Sequence, residues 1–170
     1  MSYVRDVKKL LMKISETLNK EILVFLIACL SIITDQITKY LAILYKASLY
    51  PPMEIFSWLN LVYVENKGIS FGILSKLNIS FYLGLVSFLI SFYIIYLLKK
   101  SEKLVEKIAL SLILGGAIGN GLDRVIREYV IDFIDISLNN FHWPAFNIAD
   151  SSITVGGVVY FWLIIFKKNH

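Results

Sequence analysis

Apolar residues in this chain come in four long runs, each interrupted by polar positions. The runs cover about 21–45, 79–98, 108–126 and 148–166. Each is close to or longer than the ~20 residues an α-helix needs to cross a bilayer. The pattern predicts an all-α membrane protein with four transmembrane helices in one membrane-embedded domain, residues 1–170. Residues 1–20 follow a different rule. Five basic residues there alternate with Val4, Val7, Leu10, Leu11, Ile14 and Leu18 near helical spacing. This predicts an amphipathic lead-in lying on an anionic leaflet. A signal peptide is disfavoured, because the following run is long and no small-residue cleavage site comes after it.

Two connections carry most of the remaining information. In residues 46–78, Pro51-Pro52 forbids a continuing helix. The stretch that follows, IFSWLNLVYVENKGISFGIL, mixes β-branched and aromatic residues around a turn signal at Glu65-Asn66-Lys67-Gly68. It predicts a small hairpin or β-sheet over the membrane, with Gly68 and Gly72 allowing tight geometry. The second region, Gly115 to Asp150, holds five of the thirteen acidic residues and two of the three arginines. Carboxylates at a bilayer edge are costly and tend to be functional.

Composition agrees with a membrane setting. Hydrophobic residues make up 57% and mean hydropathy is +0.68, above the ~45–50% apolar content of soluble domains. The net charge of +4 and pI of 9.1 do not point to nucleic acid, because the lysines gather at segment ends. There they set orientation. Eleven basic residues fall on the side of the N-terminus, the 99–107 loop and the C-terminus, against five opposite. Both termini are therefore expected in the cytoplasm, with the 46–78 and 127–147 connections outside. Cys29 is the single cysteine and cannot form an internal disulfide.

Among possible chemistries, the carboxylates offer the most. Asp132 and Asp150 flank the end of the third run and the start of the fourth, so antiparallel neighbours would bring them together. Two carboxylates in mutual reach cannot both ionise readily; one keeps a proton while the other takes one from water, as amide hydrolysis requires. Histidine occurs only at 142 and 170, too sparse for a zinc set. No G-x-S-x-G or phosphate loop is present, and no metal or cofactor is expected. Structural readings stand beside these. Asn147 can cap the fourth helix with Asp150 three residues on. Asp132 and Asp135 can be solvated charges, Asp123 can pair with Arg127, and Asp35 can neutralise Lys39 at i+4. A proton-coupled transporter and a membrane assembly subunit stay open on the residues alone, although the acids collect at one end rather than at mid-membrane and there is no internal repeat.

Five motifs occur in register: Asp35-Gln-x-x-Lys39, Asn66-x-Gly68-x-x-Phe71-Gly72, Gly119-Asn120-x-x-Asp123-Arg124, Val130-Ile-Asp132-Phe133 and Phe146-Asn147-x-Ala149-Asp150. In order and spacing the chain resembles the bacterial lipoprotein signal peptidases (signal peptidase II). The resemblance implies a four-helix aspartyl endopeptidase of the bacterial cytoplasmic (inner) membrane, with its site near the outer face. It also implies that the substrate is a diacylglyceryl-modified lipoprotein precursor, cut before the lipidated cysteine. By the same resemblance Asp132 and Asp150 are the catalytic pair. Asp35, Lys39, Asn66, Gly68, Asn120, Asp123, Arg124 and Asn147 bind substrate or brace the site. Partners are then lipidated precursors and membrane lipid, not nucleic acid, and a monomer is expected. Ile69-Ser70 departs from the small residues usual before Phe-Gly.

Overall fold

The computed structural model describes residues 2–68, 79–138 and 141–167. Four helices, α1 (Ser2–Leu44), α2 (Ser80–Lys100), α3 (Leu104–Arg127) and α4 (Ile148–Lys167), are each long and apolar enough to cross a membrane. Helix α3 is the hub, packed on α1, α2 and α4. It is also the least apolar and most buried of the four. Its small residues make that position possible. A Cβ at Gly116 would come within 2.4 Å of the Ala149 carbonyl oxygen, so α3 and α4 meet backbone to backbone there. The outward faces of the other helices remain apolar and exposed, as at Phe25, Leu30, Phe92, Phe161 and Trp162, which suits contact with lipid.

The lead-in is not a separate element: α1 runs unbroken from Ser2 through the first apolar run. Its other end meets a four-stranded antiparallel sheet of order β1-β2-β3-β4, formed by β1 (Met53–Phe56), β2 (Leu59–Asn66), β3 (Val130–Leu138) and β4 (Phe141–His142). The expected hairpin is present, but it turns at Ser57-Trp58. Glu65 and Asn66, read from the sequence as part of a turn, lie in β2. Ser57 is a weaker turn former than Gly, Pro or Asn and leaves only a faint local signal. Gly72 and the Ile69-Ser70 departure lie outside the described residues. The second connection contributes the other half of the sheet, as β3 pairs with β2 from Leu59↔Ile136 to Asn66↔Val130.

Two apolar clusters frame the molecule. Val24, Ala28, Ile94, Leu98, Leu110 and Leu114 fill one end of the bundle. Ala42, Leu49, Ile131 and Phe133 seat the sheet on α1 at the other. Buried polar residues lie between them.

Candidate active site

Each catalytic candidate sits at an element boundary that fixes its position. Helix α3 ends at Glu128, a left-handed residue (φ 62°), and the chain turns directly into β3. This places Asp132 in the buried first half of the strand, 2% exposed. Asp150 lies in the first turn of α4. The Asp150 N–H donates to Asn147 Oδ1 at 2.9 Å, and the Asn147 N–H donates back to Asp150 Oδ2 at 3.3 Å. That is a reciprocal cap, as the capping reading of Asn147 and Asp150 expects.

Three asparagines join the carboxylates, and in each a group that can only donate sets the amide orientation. Asp150 N–H fixes Asn147 Oδ1, which turns Asn147 Nδ2 onto Asp132 Oδ1 at 2.7 Å. Gly68 N–H fixes Asn66 Oδ1 at 3.0 Å, which turns Asn66 Nδ2 onto Asp132 Oδ2 at 3.0 Å. Lys39 Nζ fixes Asn120 Oδ1 at 2.8 Å, which turns Asn120 Nδ2 onto Asp150 Oδ1 at 2.7 Å. Burial pushes the Asp132 carboxyl up to about 6, and the nearby Asp150 charge adds to the rise. The Asn66 and Asn147 donors oppose it.

Behind the asparagines lies an ion network. Lys39, 0% exposed, is 2.8 Å from both Asp35 Oδ2 and Asp123 Oδ2. Arg127 pairs with Asp123 at 2.6 Å. Asp35 Oδ1 accepts the Ala149 N–H at 2.8 Å, which ties α1 to the start of α4. Gln36 reaches Asp35, Asp123 and the Gly119 carbonyl. Arg124 holds the Gly68 carbonyl through Nη2 at 3.1 Å.

Asp132 and Asp150 open onto a groove of about 1140 Å³, larger than the ~300–1,000 Å³ of drug-sized pockets. Asn66, Asn120 and Arg124 line its polar end; Ile90 of α2, Ile113 of α3 and Ile153 of α4 line its apolar length. Helices α2 and α4 both pack on α3 but are not a packed pair themselves among the described residues, so the groove lies between them. Among the described residues no group of three or more His, Cys, Asp and Glu side chains converges as a metal ion would require.

Every site residue named from the sequence falls in this assembly. Asp35, Lys39 and Asp123 stand one layer back from the groove. Two contributions were missed. Gln36 stands inside a quoted motif but carries no charge to draw attention. Phe141 and Trp143, which line the groove, looked like ordinary connection residues, and Phe146, which lines it too, stands in a quoted motif but drew no role. Asp135 lies apart from the pair; it bonds His142 Nδ1 at 2.8 Å and Asn60 Nδ2 at 2.9 Å.

Comparison with known proteins accords with this geometry. A model of signal peptidase (SPase) II matches residues 27–166. A lipoprotein signal peptidase of Thermodesulfovibrio yellowstonii is 44% identical over 133 residues, covering 77% of this chain and 86% of its own. One from Francisella tularensis subsp. mediasiatica is 41% identical over 151 residues, covering 85% and 92%. A bacterial membrane enzyme solved by the in meso method at 2.3 Å superposes with a TM-score of 0.75 at 31% identity, covering 86% of this chain and 89% of that one. With the match running from within α1 to the end of α4, this chain is a member of the signal peptidase II family.

Proposed function

We propose that Asp132 and Asp150 are the catalytic pair through which this chain acts as a lipoprotein signal peptidase. It is an aspartic endopeptidase that removes the signal peptide from diacylglyceryl-modified lipoprotein precursors, cutting before the lipidated cysteine. The observation that carries the assignment is the Asn147 bridge: one side chain donates to Asp132 and accepts from the backbone of Asp150 at the polar end of the groove.

Asp132, with its raised pKa, holds the shared proton and donates a hydrogen bond to the scissile carbonyl oxygen. Asp150 takes a proton from the attacking water. As the tetrahedral intermediate collapses, that proton passes to the leaving amine and the peptide C–N bond breaks. Arg124 supplies a fixed positive charge beside the pair, and its grip on Gly68 holds the end of β2 over the site.

The remaining parts of the reading follow from the groove and the charge pattern. The precursor enters sideways between α2 and α4, its acyl chains along the isoleucine-lined length and its peptide extended beside the sheet. The enzyme works as a monomer in the bacterial cytoplasmic membrane, termini inside and sheet outside. Purified protein incubated with a lipidated precursor peptide should cut before the modified cysteine, and Asp150→Asn should not. Equal rates on lipidated and unlipidated peptides would contradict sideways access.

A further inference from the structure

Helix α1 overshoots the bundle. Glu21 pairs with Lys107 near the start of α3, and Lys99 and Lys100 end α2 on the same side. The edge of the bundle therefore lies near Glu21. Residues Ser2 to Lys20 project past it, about 28 Å of helix at the ~1.5 Å rise per residue. Every described side chain from Arg5 to Asn19 is exposed.

That projection is two-faced. Val7, Leu11, Ile14 and Leu18 recur at alternating steps of four and three residues and form one stripe, 38%, 60%, 54% and 58% exposed. Arg5, Lys9 and Lys20 fall on the opposite face at ~100° per residue, with Glu16 among them and paired to Lys20 at 2.7 Å. Across residues 1–20 five basic residues stand against two acidic ones. The helices of the bundle leave the stripe uncovered.

We propose that Ser2–Lys20 is a docking helix for the anionic phospholipid headgroups of the adjoining leaflet, onto which it folds from the straight course that α1 takes out of the bundle. The alternative cover is a second copy of the chain. The stripe spans about two heptads, short of the three to four that sustain a coiled coil, and the cationic face repels its own copy. A lipid surface meets both faces at once. The acyl boundary takes the stripe and the headgroup charge takes the basic face. The segment precedes residue 27, where the family match begins.

The test uses full-length protein in lipid nanodiscs, with Cys29→Ser and a single environment-sensitive label at Leu11→Cys or, independently, Leu18→Cys. Both positions lie far from the groove, and precursor cleavage reports that the labelled protein is folded. Emission should shift to the blue when anionic phosphatidylglycerol is mixed into zwitterionic lipid. High salt, or the triple change Arg5→Gln, Lys9→Gln and Lys13→Gln, should reverse the shift. Identical spectra in the two lipids, or a shift that survives both treatments, would overturn the proposal. So would excimer emission from pyrene at the same positions, which would give the stripe to a second copy.

Discussion

Lys39 Nζ lies 2.8 Å from Asn120 Oδ1, and neither residue can reverse that bond, because an ammonium only donates. The bond turns the Asn120 amide nitrogen to Asp150, and similar constraints turn Asn147 and Asn66 to Asp132. The carboxylates therefore sit among dipoles oriented before substrate arrives, the condition under which electrostatic catalysis is strongest.

Asp132→Asn and Asp150→Asn should each lower single-turnover cleavage by about a thousandfold or more. Both proteins should stay folded and still bind lipidated peptide. Amide substitution keeps the shape of each side chain while removing the carboxyl that gives or takes the proton. If either variant cuts at near-normal rate, that residue leaves the pair.

Asp123→Asn should fail differently. Asp123 is fully buried between Lys39 and Arg127. Removing one partner of a buried ion network costs about 3–5 kcal/mol. The expected result is low abundance and early thermal unfolding, with the surviving folded protein still cutting. A stable but inactive Asp123→Asn, beside an active Asp132→Asn, would move Asp123 into the pair.

Activity should fall with alkali. The folded-state value of Asp132, raised from 3.8 to about 6, exceeds that of the unfolded chain. Rising pH therefore first ionises the unfolded form, so folding stability declines between those two values. Above about 6 the folded enzyme loses the shared proton, and kcat/KM should fall along that limb. Asn66→Ala removes a donor that favours the charged form, so it should slow cleavage and move the limb to higher pH while the protein remains inserted. A pH–rate profile with folded fraction measured in parallel checks both effects.

Gly119→Ala should loosen the layer behind the groove. A Cβ there would stand 2.7 Å from Asp35 Oδ2, displacing a carboxylate that binds both Lys39 and the Ala149 N–H. Overpacking of this kind costs about 1–3 kcal/mol. Thermal unfolding in detergent should register the loss.

For orientation, reporters placed between Lys100 and Leu104 and at Asn139 should report opposite sides of the membrane. Finding both on one side would overturn the arrangement with the sheet outside.

The helices were legible because four apolar runs of membrane length have few alternative folds in water or lipid. The residues of the candidate site were legible because they stand in short, spaced motifs, from Asp35-x-x-x-Lys39 to Asn147-x-x-Asp150. The sheet was only half visible. Val130 to Leu138 is rich in β-branched residues, yet its aspartates read as chemistry and hid the strand that carries them. The turn at Ser57-Trp58 carries only the weak turn former Ser57, so the stronger signal at Glu65 to Gly68, half of which lies in β2, drew the turn away from it. The bond between Lys39 and Asn120 joins positions 81 residues apart, and no local pattern announces such a pairing.

The assignment of parts among the helices sets when the enzyme comes into being. Asp35 and Lys39 are on α1 and Asn120 is on α3, but Asp150 and the Ala149 N–H that Asp35 accepts are both on α4. Synthesis runs from the N-terminus, so α1, α2 and α3 are made before either exists. A nascent chain at that stage carries Lys39, Asn120 and Asp132 but not Asp150. On the proposed pairing of Asp132 with Asp150, α4 supplies the second carboxylate and the Ala149 donor together, so proteolytic competence awaits the fourth helix.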